Sequence, residues 1–108
     1  MFTTVRIVAL ASLAALTAAG AAFGGPSMAA RITQTTLDLE ACKLRAQDVA
    51  KQAKFKVSKV LEFSVYAETE SYGMIVRCAP EKGVVFFSVA GPRMERATSY
   101  VNEIAGNF

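Results

Sequence analysis

Two cysteines, Cys42 and Cys78, constrain how this chain can fold more strongly than any other feature of its sequence. They lie 36 residues apart, and two cysteines allow only one intramolecular bridge. Such a bridge would hold their Cα atoms within about 7 Å of each other. In the chain-entropy account it would stabilise a fold by about 4 kcal/mol, which is a large share of the stability of a small domain.

The N-terminal stretch has the layout of a secretory signal peptide. Arg6 is the one early cation, and an uncharged, Ala-rich apolar run follows it over residues 7–23. Residues 27–29 (Ser-Met-Ala) then supply a small-x-small cleavage pattern. The run is only weakly hydrophobic, whereas a permanent membrane helix needs about 20 strongly apolar residues. We therefore predict a signal peptide over residues 1–29 and export to the periplasm or the extracellular medium.

Alternatives to this processing stay open. Cleavage after Ala22 or Ala30 also fits the small-residue pattern, and an uncleaved N-terminal anchor is a further possibility.

Removal of the signal, including Arg6, leaves 11 basic and nine acidic residues, a mild net charge of +2 that does not favour a strongly acidic partner. The mature chain of about 80 residues is small enough to need a covalent or metal staple.

Export favours a disulfide for the two cysteines, because paired thiols oxidise in that compartment. The chain contains no histidine, so a tetrahedral metal site would need two further carboxylate ligands. It also has no C-x-x-C redox motif. We predict a Cys42–Cys78 disulfide with no metal and no cofactor, and two buried free thiols are the alternative.

Recognisable catalytic and nucleic-acid-binding patterns are missing from the sequence. Without histidine there can be no Ser-His or Cys-His pair, and no glycine-rich phosphate loop is present. Lys82, Gly83 and Phe86 match part of the RNA-recognition signature, but Val84 stands where a base-stacking aromatic belongs. We predict that the protein is not an enzyme and does not bind nucleic acid.

Hydrophobic periodicity predicts an α+β fold in the order α-β-β-β-α. The predicted elements are a helix over residues 37–55, strands over 60–68, 72–79 and 84–90, and a helix over 92–108. Short turns imply a three-stranded antiparallel meander, with both helices packed on one face. Residues 30–36 are predicted as a polar lead-in, and residues 37–108 as a single small domain. Leu61, Phe63, Val65 and Ala67 are expected on the buried face of the first strand.

The sheet face away from the helices is the predicted interaction surface. The candidate residues on it are Tyr66, Ile75, Arg77, Val84 and Phe86. Contiguous apolar patches often mark partner surfaces, and Tyr and Arg are enriched in interface cores. Ordinary partial exposure, or cover from the lead-in, is the alternative. The third predicted strand is expected to be an open edge, which offers a second route to pairing.

Two functions from different classes follow from these features. The first is a small exported interaction module, such as an inhibitor, accessory subunit or adaptor, which binds a protein partner or forms a homodimer through the sheet face or edge. The second is a carrier of a small apolar ligand. Its pocket would lie between the helices and the sheet, lined by Phe63, Met74, Phe87 and Met94.

Overall fold

The computed structural model of the protein describes residues 25–108, and the predicted signal peptide lies mostly outside them. The elements are β1 (Ser27–Gln34), α1 (Leu39–Gln52), β2 (Lys56–Val60), β3 (Ser64–Glu68), β4 (Gly73–Ala79), β5 (Val84–Gly91) and α2 (Met94–Asn107). A 3-10 turn over Pro80–Lys82 joins β4 to β5. The strands form one antiparallel sheet in the order β1-β5-β4-β3-β2.

The predicted α+β class is confirmed, but the predicted three-stranded meander is wrong, because the sheet has five strands. The first unpredicted strand is β1, which includes most of the predicted lead-in, residues 30–36. It pairs with β5 over eight consecutive positions, from Ser27 opposite Gly91 to Gln34 opposite Val84. The third predicted strand, now β5, is therefore an interior strand and not the expected edge. The predicted cleavage position after Ala29 falls inside β1.

The second unpredicted strand is β2, which occupies the residues between the predicted helix over 37–55 and the predicted strand over 60–68, together with the first residue of that strand. Helix α1 begins after Asp38, whose carboxylate accepts a hydrogen bond from the Ala41 N–H at 2.8 Å. It ends at Gln52 because Lys54 adopts a left-handed conformation with φ of 68°, and Phe55 N–H bonds back to the Ala50 carbonyl at 2.9 Å. The chain then turns directly into β2.

A turn divides the single strand predicted over residues 60–68. The Leu61 N–H donates to the Ser64 carbonyl at 2.8 Å, which closes the β2–β3 hairpin. Leu61 and Phe63 sit in this turn and are exposed, so their predicted place on the buried face is wrong. The alternation continues correctly beyond the turn, where Val65 and Ala67 are buried.

The core lies between one face of the sheet and the two helices, as the sequence predicted for their packing. Its largest fully buried side chains include Phe87 and Met74 from the sheet and Ile104 from α2. Cys42 of α1 and Cys78 of β4 are both buried, and their sulfur atoms are at disulfide-bonding distance, with the Cα atoms 6.2 Å apart. The predicted proximity of the two cysteines is confirmed, and a bond between them would join α1 to the middle strand of the sheet.

A cluster of aromatic rings closes one end of the core against a glycine. The Tyr100 ring packs edge-on against Phe55, with centroids 4.8 Å apart, and against Tyr72 at 5.3 Å. The Tyr72 ring lies over buried Gly91, where an added Cβ would come within 2.1 Å of a ring carbon. Residue 91 therefore has to be glycine for the ring to keep its place.

We expect Gly91→Ala to lower the free energy of unfolding by about 1–3 kcal/mol, the usual cost of overpacking. Urea denaturation of the variant measures the loss. Gly73→Ala is the matched control, since a Cβ at that position meets nothing within 4 Å. Equal stability of the two variants would show that the Tyr72 ring moves aside without cost.

Candidate protein-interaction surface

The sheet face opposite the helices, called here the open face, carries all five residues of the predicted surface. Side chains alternate across each strand, and the helix-facing residues of β3, β4 and β5 are buried. The pairing register places Tyr66 beside Ile75 and Arg77 beside Phe86. Val84 lies on the same face at the start of β5, at the end of the patch.

Strand β1 adds two large apolar side chains to the open face that sequence reasoning missed. Met28 and Ile32 each keep 60% of their surface exposed, and Ile32 pairs with Phe86 across β5. Arg31 and Thr33 lie on the helix-facing side together with Ala29, which packs against the core, whereas Gln34 lies on the open face. The two largest apolar side chains of β1 therefore face away from the core, and its one charged side chain faces α2.

The helix-facing side of β1 makes a polar contact with α2. Arg31 donates a hydrogen bond to the Asn102 side chain of α2 at 3.3 Å. Arg31 is exposed, so this contact lies at the solvent edge of the packing between β1 and α2. The period-two spacing of the apolar residues Met28, Ala30 and Ile32 is a sequence signal for a strand. The small-residue cleavage pattern predicted at residues 27–29 overlaps this signal and was interpreted as part of the signal peptide instead.

The open face is indented and has a shallow cleft of about 260 Å³. Its lining includes the small residues Gly73, Ser88 and Ala90, with larger side chains around them. Met28 and Tyr66 are among those larger residues, on opposite sides of the sheet order. A depression with small residues flanked by apolar and aromatic side chains is shaped to accept one side chain of a partner.

Arg77 supplies the positive charge on this face. Its guanidinium carbon lies 5.9 Å from the centroid of the Phe63 ring, a cation–π distance. Within residues 25–108 the ion pairs are Glu40–Lys43 and Arg93–Glu95, so no carboxylate in this part of the chain neutralises Arg77. The Phe63 ring, which the sequence placed in the core, thus extends the open face beyond the five predicted residues.

The four residues of the predicted carrier pocket are not brought together. Met74 and Phe87 are packed in the core with 1% of their surface exposed. Phe63 and Met94 are exposed, Phe63 beside Arg77 and Met94 at the start of α2. These positions give no support to a ligand cavity between the helices and the sheet.

Two larger clefts lie apart from the cleft of the open face. One, of about 520 Å³, is lined by Lys82 and by Arg45, which donates a hydrogen bond to the Phe108 carbonyl. The other, of about 540 Å³, lies at the start of α2 beside Arg93 and Arg96. Among residues 25–108, no buried polar side chain lacks a hydrogen-bond partner, so neither cleft holds an orphaned group awaiting a ligand.

The electrostatics of the second cleft are set by a pair on α2. Arg96 donates a hydrogen bond to the Tyr100 hydroxyl at 3.2 Å, and its guanidinium also lies over the Tyr100 ring. This hydrogen bond and the attraction of the same hydroxyl raise the pKa of Arg96 above its ordinary value. The group therefore stays charged and gives the cleft no pH response in the physiological range.

No protein-family model matches the chain, and no curated protein matches it in sequence. In the part of the chain that the structure describes, no helix combines the length and the apolar character needed to cross a membrane. The same residues contain no group of three or more His, Cys, Asp or Glu side chains placed to hold a metal ion.

Proposed function

We propose that this protein is an exported, non-enzymatic interaction module that binds a protein partner through its open face. The observation that carries the proposal is the outward orientation of the two largest apolar side chains of β1. Met28 and Ile32 extend the apolar patch of Ile75 and Phe86, although ordinary strand patterning would turn such residues toward the core. Apolar residues that are contiguous and exposed on a small domain are typical of partner surfaces.

The chemistry of the open face specifies the kind of partner. Its cleft accepts an apolar side chain, and Phe86 and Ile75 offer flat apolar contact on one side of it. Arg77 lacks a carboxylate partner within residues 25–108 and supplies one charge-assisted contact. The matching surface is an apolar patch of a folded protein with one carboxylate beside it, and an inhibitor, accessory subunit or adaptor would all bind in this way.

Export is the second part of the proposal. It is supported by the early cation and the apolar run that follows it, with cleavage after Ala22 leaving Met28 and all of β1 in the mature chain. The buried Cys42–Cys78 pair, which an oxidising compartment would keep oxidised, also supports it. The periplasm and the extracellular medium both meet this condition. The absence of a membrane-crossing helix from residues 25–108 is compatible with both locations.

A quantitative capture experiment tests the open face. Tagged protein is incubated with the native envelope fraction, captured proteins are identified by mass spectrometry, and affinity for the identified partner is then titrated. We expect Phe86→Ser to weaken that affinity at least tenfold, because truncating a central aromatic anchor removes about 2 kcal/mol or more. Arg77→Glu should weaken it further if a carboxylate faces the guanidinium.

Leu44→Ser is the matched control, since Leu44 is an exposed apolar residue on α1, away from the open face. Its affinity should equal that of the unmodified protein, and near-UV circular dichroism should show that all variants are folded. Equal affinities for Phe86→Ser and the unmodified protein would contradict binding through the open face. An equal loss in Leu44→Ser would indicate non-specific hydrophobic capture.

A further inference from the structure

Of the two edge strands of the sheet, β2 has features that block pairing with another strand, and β1 does not. β2 is five residues long, has an irregularity between Val57 and Lys59, and carries exposed Lys56 and Lys59. Short length, bulges and lysines are the usual features that block an edge strand. β1 is eight residues long, its register with β5 is unbroken, and its only charge belongs to Arg31.

The backbone alternation shows which groups of β1 face outward. The Thr35 N–H donates to the Gly83 carbonyl at 2.9 Å, and this pair continues the β1–β5 register by one position. Hydrogen-bonded pairs alternate along an antiparallel ladder, so the odd-numbered residues of β1 bond to β5. The even-numbered residues, Met28, Ala30, Ile32 and Gln34, therefore direct their N–H and carbonyl groups away from the sheet. No strand within residues 25–108 lies on that side.

We propose that a second copy of this chain pairs with that edge, β1 against β1, antiparallel about a two-fold axis at Ala30. Only even-numbered residues can meet across such an edge, because only they have outward backbone groups. With the axis at Ala30, each Met28 lies opposite the second copy's Ile32, and both side chains are on the open face. This register therefore joins apolar residue to apolar residue at both ends of the contact.

The charge of Arg31 distinguishes the register centred on Ala30 from the register centred on Arg31. Moving the axis by one residue to Arg31 would also pair even-numbered residues, but it would set the two Arg31 side chains directly opposite each other. Like charges in that position destabilise a strand pair. With the axis at Ala30, Arg31 instead faces the second copy's Ala29 and keeps its hydrogen bond to Asn102. Charge thus disfavours the register centred on Arg31, and the two Met28–Ile32 contacts favour the register centred on Ala30.

The proposed dimer extends each five-stranded sheet into a ten-stranded one, with the two open faces continuous across the axis. The contact uses the edge of β1, whereas the proposed function uses the open face. Loss of the dimer would therefore leave partner binding as a separate question. Conversely, failure to find a partner would leave the dimer unaffected.

Light scattering after size-exclusion chromatography tests the pairing on a chain that begins at Phe23, the product of cleavage after Ala22, over a range of loading concentrations. We expect a mass approaching that of two chains at high concentration. Ala30→Pro removes one outward N–H without touching the β1–β5 hydrogen bonds, so it should give a monomer at every concentration. Ala30→Ser, which keeps that N–H, is the matched control and should dimerise like the unmodified protein.

A second pair of variants tests the register and covers the case in which Ala30→Pro fails to fold. In the proposed dimer Ala30 faces its own copy at a Cα separation of about 5.5 Å, so Ala30→Cys should form an intermolecular disulfide. Ile32→Cys should not, because it faces Met28. A monomer at all concentrations, or dimerisation unchanged in folded Ala30→Pro, would overturn the proposal. Crosslinking of Ile32→Cys in place of Ala30→Cys would overturn the register.

Discussion

Replacing Cys42 and Cys78 together by alanine should lower the free energy of unfolding by about 4 kcal/mol. The bridge closes a loop of 36 residues, and it ties α1 to the middle strand of the sheet at a site where both sulfur atoms are buried. Its loss frees the unfolded chain and also leaves small cavities at the helix–sheet contact. A domain of this size has a total stability of only about 5–15 kcal/mol, so the variant should unfold at much lower urea concentration.

Urea denaturation of the double variant, compared with the oxidised protein, measures this loss. The intact mass of the oxidised protein should be about two hydrogens below that of the reduced form, which establishes the bridge itself. Oxidised protein kept without reductant is the baseline, and the same protein after reduction should move toward the double variant. A loss of less than about 1 kcal/mol would mean that packing of α1 on the sheet, and not the bridge, fixes this contact.

Removal of β1 should have the second large effect. A chain that begins at Leu37, the predicted domain boundary, should not reach a stable folded state, because β5 then loses one of its two partner strands along its whole length and becomes an apolar edge. A chain that begins at Ala30 loses only the first three β1–β5 pairs. At about 1 kcal/mol for each net backbone hydrogen bond, it should be less stable by about 1–3 kcal/mol.

Far-UV circular dichroism and thermal melting of the two truncations, beside a chain that begins at Pro26, measure these effects. The Pro26 chain retains all of β1 and is the matched control. A cooperative melt for the Leu37 chain at the control temperature would contradict an integral role for β1. The mass of the exported protein supplies a further comparison, since cleavage after Ala22 keeps the whole strand and cleavage after Ala29 does not.

Sequence reasoning succeeded for elements that bury one apolar face in the core. The apolar stripe of α1 and the alternation of β4 predict the Cys42–Cys78 contact, since both faces have only one core to enter. It failed for β1, where the apolar residues face outward and small residues resemble a cleavage site. It failed again at Leu61 and Phe63, whose period-two spacing continues that of the strand although a hydrogen-bonded turn interrupts the backbone.

Part of the candidate surface was predictable from the alternation of side chains along the strands. Ile75 and Phe86 follow from the alternation of β4 and β5, because placing their neighbours in the core leaves them outside. Met28 and Ile32 depend on a strand pairing between distant parts of the chain, and no local pattern encodes that contact. The exposure of Phe63 depends on the position of one turn, which propensities do not determine to within a residue.

The pairing of the first strand with the last one also governs when the sheet can form. β1 comes first in the described chain, whereas β5 is followed only by α2. During synthesis or translocation β1 waits until β5 emerges, and closing so long a loop carries an entropic cost that slows folding. Throughout that interval the inward backbone groups of β1 lack their partners, so this protein is most exposed to aggregation before β5 arrives.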